Sequence, residues 1–359
     1  MIPVSKPYFD NKEEEYLQDA IKSGYLTWHG KYVNLFAEKF AQYIGVDCAI
    51  ACNTGTSAIH LCLLALGITT GDEVITTNLT FASTVFAISY CRATPVLVDI
   101  GDDWNIDVSK IEEKITKKTR AIIVVHLYGH PCNMPAIMQI ARKHNLYVVE
   151  DCAEAIGAKS GDKLTTKRVG SIGDISAFSF FGNKVITTGE GGMVVTDNEE
   201  LASKVDFYTN QAQVARYYHT DVGYNYRMTN LQAAVGLAQL EKIELILDRR
   251  RLLRDRYNSN LSGLGLKLMP SEFNDINWLY SLEVYRRDEL IDRLNKLSIE
   301  SRPFFRPIDS LPMYKTDLKF LKSLEASENG INLPTYCDLS FDEIDLICTI
   351  IKKHVRLYG

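Results

Sequence analysis

Seven short β-rich runs alternate with helical runs between residues 48 and 196, and this alternation constrains the fold more than any other feature. The strand-like runs are CAIAC (48–52), DEVITT (72–77), TPVLVDI (94–100), RAIIVVHLYG (120–129), LYVVED (146–151), ISAFSFF (175–181) and GMVVT (192–196). Four intervening runs have the apolar spacing of helices: SAIHLCLLALG, FASTVFAISYCRA, IEEKITKK and MPAIMQIARKHN. Strands that alternate with helices favour a mostly parallel sheet covered on both faces. The sequence therefore predicts an α/β fold.

The pattern changes after about residue 240. Residues 229–261 form a long helical pattern whose apolar side chains recur every three or four positions, as in a buried stripe: Ala233, Leu237, Leu240, Ile243 and Leu247. Shorter β and α segments follow, including LYSLEVY and ELIDRLNKL. We predict a large α/β domain over 1–240 and a smaller α+β domain over 241–359. The N-terminal arm is expected to pack on either one.

Composition excludes several classes of function. Of the 359 residues 46% are apolar and the net charge is −5, which is typical of a globular chain and unfavourable for binding nucleic acid or anionic membranes. No apolar run reaches the roughly 18 residues of a membrane span, and MIPVSKPYFDNKEEEY lacks the apolar core of a secretory signal. Eight cysteines without a CxxC pair indicate reduced, mostly buried thiols and no metal site. We expect a cytoplasmic protein.

Two candidate functional side chains follow predicted strands. Asp151 ends LYVVED beside Glu150, at the sheet edge where open α/β folds bind ligands; helix capping by Asp151 is the alternative. Lys184 follows ISAFSFF in the segment FSFFGNKVITTGEGGMVV. Burial would lower the pKa of its amine and suit it to Schiff-base chemistry. A surface lysine in a hairpin loop is the alternative there.

A third candidate lies in NTGTSAIHL, where Gly55 and Thr56 open a predicted helix directly after a strand. The N–H groups of such a helix start can bind phosphate, and a plain helix cap is the alternative. A phosphate-binding turn, a strand-end aspartate and a post-strand lysine together are the three anchors of a pyridoxal 5′-phosphate (PLP) site. His126 and His130, in HLYGH, are expected to be structural, because a strand and turn do not give the helical spacing of paired zinc ligands.

The chain resembles the DegT/DnrJ/EryC1/StrS family of sugar aminotransferases, which are PLP enzymes of fold type I. The resemblance runs from IPVSKPYF to GINLPTYCDLS and is densest in NTGTSAIHLCLLALGI, VVEDCAEAIGA, GDISAFSFFGNKVITTGEGGMVVT and GYNYRMTNLQAAVGLAQLE. It implies transfer of the amino group of L-glutamate to the C4 keto carbon of a nucleotide-linked 4-keto-6-deoxy sugar, as in O-antigen biosynthesis. It also implies a homodimer with shared active sites.

The resemblance implies roles toward the cofactor for several residues. Lys184 matches the Schiff-base lysine, and Asp151 matches the carboxylate that pairs with the pyridinium nitrogen. Glu154 is placed near the ring, or else has a structural role, and Phe81 is placed on the ring face, or else in ordinary core packing. Phosphate contacts are implied for Gly55, Thr56 and Ser179, and for Asn225, which would reach the phosphate of the neighbouring subunit.

Substrate contacts are implied for a looser set of residues: Trp28, His29, Lys31, His219, Arg227, Arg302 and Arg306. Structural roles remain open for His219 and Arg227. The segments FSFFGNKVITTGEGGMVV, HLYGHPCNM and GYNYRMTN are most similar to members that aminate GDP-4-keto-6-deoxy-mannose. The segment TNQAQ is more similar to members that act on UDP-linked sugars, so a UDP- or dTDP-linked sugar is the alternative.

Other functions remain possible alternatives on this fold. Sugar 3-dehydratases of the family carry histidine where this chain has Lys184, and an NAD enzyme would carry more glycines in its first strand–helix turn. A sensor or assembly protein with this fold would not need Lys184 or Asp151. The presence of both residues favours an enzyme.

Overall fold

The computed structural model describes residues 1–161, 166–270 and 275–358. The strands within these ranges are β1 (Cys48–Cys52), β2 (Glu73–Thr77), β3 (Thr94–Val98), β4 (Thr119–Val125), β5 (Tyr147–Asp151), β6 (Lys159–Ser160), β7 (Lys167–Arg168), β8 (Ile175–Ser179), β9 (Gly192–Thr196), β10 (Gln213–Ala215), β11 (Tyr218–His219), β12 (Lys267–Leu268), β13 (Tyr280–Glu283), β14 (Arg302–Pro303) and β15 (Gly330–Leu333). The helices are α1 (Asn11–Ser23), α2 (Lys31–Ile44), α3 (Gly55–Ala65), α4 (Ser83–Tyr90), α5 (Met134–His144), α6 (Glu199–Thr209), α7 (Asn230–Glu241), α8 (Ile243–Leu261), α9 (Arg287–Lys296), α10 (Leu321–Asn329) and α11 (Phe341–Tyr358).

Seven of the described strands form one large sheet in the order β1-β9-β8-β5-β4-β2-β3. The pairs among β2, β3, β4, β5 and β8 are parallel, and β9 is antiparallel to both of its neighbours. The connection from Ser179 to Gly192 contains no helix, so β9 folds back beside β8 instead of crossing over the sheet. All seven strands predicted from the sequence are present, and the prediction of a mostly parallel sheet is confirmed.

Helices cover both faces of this sheet. Successive side chains of each strand point to opposite sides, so apolar strands present an apolar surface on each face. Ala177 and Val194 pack in the apolar cluster of α3, α4 and α6. Phe178 and Met193, their neighbours in sequence, pack with α2 and α7 in the cluster on the other face. The strands are therefore buried on both sides and read as continuous apolar runs.

Two helix predictions are wrong in detail. The run IEEKITKK forms only a short 3₁₀ turn at Glu112–Lys114, because its single buried apolar side chain, Ile111, cannot stabilise a longer helix. The pattern over 229–261 is two helices, which meet where Lys242 leaves the helical conformation (φ −112°, ψ 13°). The Lys242 ammonium lies 2.7 Å from Glu13 Oε1 and 2.8 Å from Asp10 Oδ1.

The C-terminal part of the chain forms a four-stranded antiparallel sheet in the order β12-β13-β15-β14, packed against α8, α9 and α11. The N-terminal arm contacts both parts of the molecule. Val4 O accepts a hydrogen bond from Thr335 N (2.9 Å), and Ser5 Oγ donates to Asn183 O (3.1 Å). The boundary at residue 240, at the end of α7, stays a prediction. None of the helices in the described ranges is both long and apolar enough to cross a membrane.

Candidate active site

A cavity of about 430 Å³ opens at the carboxyl ends of β5 and β8. The start of α3, the loop before α4 and the segment around Trp278 close its other sides. Seven of the residues predicted to contact the cofactor line it: Gly55, Thr56, Phe81, Asp151, Glu154, Ser179 and Lys184. Carboxyl ends of parallel strands are where open α/β sheets bind ligands.

Lys184 reaches into this cavity from the turn after β8. Its side chain is 12% exposed, and its ammonium lies 3.6 Å from Glu154 Oε1. The amine also lies 3.7 Å from the centre of the Trp278 ring. Burial lowers the pKa of Lys184, and the carboxyls of Glu154 and Asp151 oppose that shift. The alternative of a surface lysine is therefore wrong.

Asp151 ends β5 with a carboxyl that is buried in the floor of the cavity. Oδ2 accepts the hydroxyl of Thr84 (2.9 Å), and Oδ1 accepts Ala153 N (3.2 Å). Burial raises the pKa of Asp151, and these two donors oppose the rise. The alternative of a helix cap is wrong, because no helix directly follows Asp151: the chain continues into turns that start at Ala153.

Glu154 lies between Lys184 and the buried residue Tyr128. Its Oε2 accepts the backbone N–H of Tyr128 (2.9 Å), a residue whose φ of 53° lies in the left-handed region. Burial raises the pKa of Glu154 to about 7, although the neighbouring Lys184 opposes the rise. The carboxyl can therefore gain or lose a proton near neutral pH.

Helix α3 begins at the cavity wall immediately after β1. Thr54 caps it by accepting Ser57 N (3.1 Å), while the Thr56 hydroxyl donates to Ser83 Oγ (3.0 Å). A Cβ on Gly55 would lie 2.6 Å from the Cβ of Ser179, so only glycine lets the helix start and the end of β8 approach this closely. The helix start is thus both capped and open to an anion, since its first N–H groups have no partner within the helix.

Phe81 stands at the cavity rim with 58% of its surface exposed, and its ring centre lies 5.7 Å from that of Phe305. The alternative of core packing for Phe81 is therefore wrong. Exposed aromatic surface beside a cavity can cover a flat ring.

The residues present fit PLP. The start of α3 at Gly55 suits an anion, the buried Asp151 carboxyl has no ion pair with any of the described residues, and the Lys184 amine is desolvated. A ligand that combines a phosphate, a protonated ring nitrogen and an aldehyde satisfies all three.

The DegT/DnrJ/EryC1/StrS aminotransferase family model matches residues 7–352. The chain belongs to this family. It is 44% identical over 364 residues to the GDP-perosamine synthase of Escherichia coli O157:H7, with 98% of each chain covered. It is 42% identical to the GDP-perosamine synthase of Vibrio cholerae, with 99% of each chain covered. Among solved structures, the PLP form of the putative sugar aminotransferase Spr1654 from Streptococcus pneumoniae matches with a TM-score of 0.93 at 28% identity, covering 99% of each chain.

These findings confirm several predictions. The chain is a PLP-dependent aminotransferase with the fold of this family. The resemblance stated from the motifs is also confirmed, including its closeness to GDP-perosamine synthases.

The predicted substrate residues do not all reach the cavity. Arg302, on β14, lines it and donates to Glu300 Oε1 (2.9 Å). Arg306 is exposed and is not part of the lining. Lys31 pairs with Asp19 (2.7 Å), and His219 binds the carbonyl of Gln211 (2.8 Å) on the exposed β10–β11 hairpin.

Trp28, His29, Asn225 and Arg227 form a separate group outside the cavity. The rings of Trp28 and His29 stack with centres 3.6 Å apart, and the Arg227 guanidinium lies 5.0 Å from the Trp28 ring centre. Arg227 also donates to Asn225 Oδ1 (2.8 Å) and Asn210 Oδ1 (2.7 Å). Its guanidinium therefore contacts two side-chain amides and an aromatic ring, and it does not line the cavity.

Sequence reasoning missed three residues of the site: Thr84, Tyr128 and Trp278. Thr84 lies three residues after Phe81 in NLTFAST, so the helical spacing could have placed it beside Phe81. Trp278 and Tyr128 reach Lys184 and Glu154 through the tertiary fold, and no local pattern marks them.

A second group of buried polar side chains is centred on Glu150, the residue before Asp151. His126 Nδ1 accepts Cys132 N (3.0 Å), which places the proton of a neutral ring on Nε2, 3.1 Å from Glu150 Oε2. Burial would raise the pKa of Glu150, yet the bonds from His126 and from the N–H groups of Gly170 and Gly173 hold it below its ordinary value. These bonds tie β4 and β5 to the loop before β8.

Proposed function

We propose that this enzyme transfers the amino group of L-glutamate to C4 of GDP-4-keto-6-deoxy-mannose and thereby makes GDP-perosamine. The observation that carries the chemistry is the convergence of Lys184, Asp151 and the Gly55 turn on one cavity. The sugar is argued from the full-length similarity to two GDP-perosamine synthases at 44% and 42% identity.

We assign the cofactor-binding roles by position in the cavity. The N–H groups of Gly55 and Thr56, with the Ser179 hydroxyl, bind the phosphate. Asp151, held by Thr84 and Ala153, would accept a hydrogen bond from the protonated ring nitrogen and so keep that nitrogen charged. Phe81 covers one face of the ring and excludes water.

Proton transfer is assigned to Lys184, with Glu154 beside it. When bound, PLP accepts the amino group and withdraws electrons from the carbon that gains or loses a proton. In each half-reaction the desolvated Lys184 amine would take a proton from one carbon and return it to another, starting from the Cα of glutamate in the first half-reaction and ending at C4 of the sugar in the second. Glu154, 3.6 Å away, would stabilise the ammonium during the interval in which Lys184 carries the proton.

We also propose a homodimer in which Asn225 completes the phosphate site of the partner. Asn225 is exposed and lies outside the cavity of its own chain. Its side chain is held by Arg227, so it is presented to the surface in a fixed orientation.

The test is the visible spectrum of the purified enzyme as L-glutamate and then a keto sugar are added. We expect glutamate to bleach the absorption of the bound cofactor and GDP-4-keto-6-deoxy-mannose to restore it, with the amino sugar identified by mass spectrometry. The matched controls are the UDP- and dTDP-linked 4-keto-6-deoxy sugars. If only one of these sugars restored the absorption, its nucleotide would replace GDP in the proposal. If glutamate did not bleach the absorption, the proposed amino donor would be wrong.

A further inference from the structure

The Lys184 amine lies against the face of a tryptophan that no sequence motif singled out. Its nitrogen is 3.7 Å from the centre of the Trp278 ring and 3.6 Å from Glu154 Oε1. A cation within about 6 Å of an indole face is attracted to it, most strongly when water is excluded. The amine thus has an aromatic face on one side and a carboxylate on another.

Trp278 is held in place through its backbone and its ring. Its N–H donates to Tyr128 O (3.0 Å), and its carbonyl accepts from the buried Arg250 (2.7 Å). The indole N–H donates to the carbonyl of Asn183 (2.7 Å), the residue directly before the lysine. The residue is 4% exposed. These bonds fix the ring relative to the segment that carries Lys184.

We propose that Trp278 is a positioning residue that holds the free amine of Lys184 as an ammonium between its ring face and Glu154 whenever the lysine is not bonded to the cofactor. This inference rests on the role given to Lys184 in the proposed function. The other charged side chains that line the cavity are Asp151, Glu190 and Arg302. Both nearby carboxyls and the ring favour the ammonium, whereas burial favours the neutral amine.

Trp278 would then help to set the pH at which Lys184 changes from an ammonium to a neutral amine. Only the neutral amine can attack the aldehyde of PLP, with loss of water, and only the ammonium can give a proton to substrate. Loss of the ring face therefore makes the neutral amine available at lower pH.

The test measures capture of PLP by the full-length chain after the cofactor is stripped. The rate at which the visible absorption appears is recorded against pH, and its midpoint reports deprotonation of Lys184. We expect Trp278→Leu to lower this midpoint by about one pH unit and Trp278→Phe to lower it by about half as much, since phenyl is the weaker cation partner. Trp104→Leu is the matched control, because Trp104 is equally buried in the same apolar cluster but does not line the cavity.

An unchanged midpoint in a folded Trp278→Leu chain, or an equal shift in Trp104→Leu, would overturn the proposal. Folding is checked by circular dichroism, and if Trp278→Leu does not fold, the shift in Trp278→Phe decides. If the wild-type chain captures PLP without forming a bond to Lys184, the proposed function fails instead. The two failures are therefore distinguishable.

Discussion

Glu150 and Glu154 are buried glutamates four residues apart, yet their surroundings shift their carboxyl pKa values in opposite directions. Glu150 accepts hydrogen bonds from His126 and from backbone amides, whereas Glu154 accepts one amide and otherwise meets the Lys184 amine. Burial raises both pKa values, and only the hydrogen bonds to Glu150 are numerous enough to reverse that effect. Residue type alone therefore does not distinguish a structural carboxyl from one able to exchange a proton.

This difference predicts opposite pH dependence of stability in the cofactor-free chain. The pKa of Glu154 is about 7 in the folded state against 4.5 ordinarily, so its ionisation costs stability as the pH rises from 4.5 to 7. The free energy of unfolding of the Glu154→Gln chain should therefore rise relative to wild type by up to about 3 kcal/mol between pH 4.5 and 7. The difference should stay constant above that range. Urea unfolding at a series of pH values measures this.

Glu150→Gln is the matched comparison. The folded pKa of Glu150 is lowered, so its contribution to stability is present above pH 4.5 and lost as the pH falls through the lower folded value. The Glu150→Gln chain should therefore lose stability relative to wild type chiefly above pH 4.5. A difference between Glu154→Gln and wild type that does not change with pH would contradict the raised pKa.

Lys184→Ala should abolish turnover and leave the fold intact. The lysine amine contacts only the cavity and its lining, so its removal leaves a larger cavity and no unpaired backbone group. We expect amino transfer to fall by at least about a thousandfold, as for loss of a group that acts in each half-reaction. Circular dichroism and steady-state rates are measured together, and turnover at the wild-type rate would refute the assignment of Lys184.

At the scale of secondary-structure elements, the proposed phosphate cradle depends on the close approach of α3 to the end of β8. Gly55→Ala should force the two apart, because the added Cβ meets Ser179 Cβ at 2.6 Å. We expect the dissociation constant of PLP to rise at least about tenfold, since N–H donors that are displaced no longer reach the phosphate. Equilibrium titration of the stripped chain with PLP measures it.

Gly67→Ala is the control at the other end of the same helix. Gly67 has a φ of 74° and no atom within 4 Å of an added Cβ, so the substitution strains the backbone without filling space. It should lower the thermal midpoint of unfolding while leaving the affinity for PLP near that of wild type. Equal loss of affinity in both variants would mean that Gly55 has no special part in the cradle.

The elements were predictable where a local pattern determines them. Seven apolar runs correspond to seven strands, and the strand-end positions of Asp151 and Lys184 placed both side chains at one edge of the sheet. The break at Lys242 was not predictable, because apolar spacing continues across it and the ion pairs that hold it come from α1 and its cap. The role of Trp278 was also not predictable from a local pattern, because its contact with Lys184 joins segments 94 residues apart in sequence.

At the scale of the whole molecule, the role proposed for the exposed residue Asn225 requires a second copy of the chain. The side chain is fixed by Arg227 but does not line the cavity beside Lys184. In a symmetric dimer each surface patch is used twice, so Asn225 of each chain can reach the other chain's site. Asn225→Ala should then weaken retention of PLP, although the cavity of its own chain is unchanged.

Mixing two defective chains tests this sharing directly. Lys184→Ala and Asn225→Ala chains, denatured together in equal amounts and refolded, should form mixed dimers in which one site has both Lys184 and Asn225 and the other has neither. Random pairing predicts intact sites at about one quarter of the wild-type number, so both activity and PLP retention should exceed the mean of the two parents. Each parent refolded alone is the control. If the mixture only averages the parents, or if the wild-type enzyme is monomeric at full activity, Asn225 serves its own chain and the shared site is refuted.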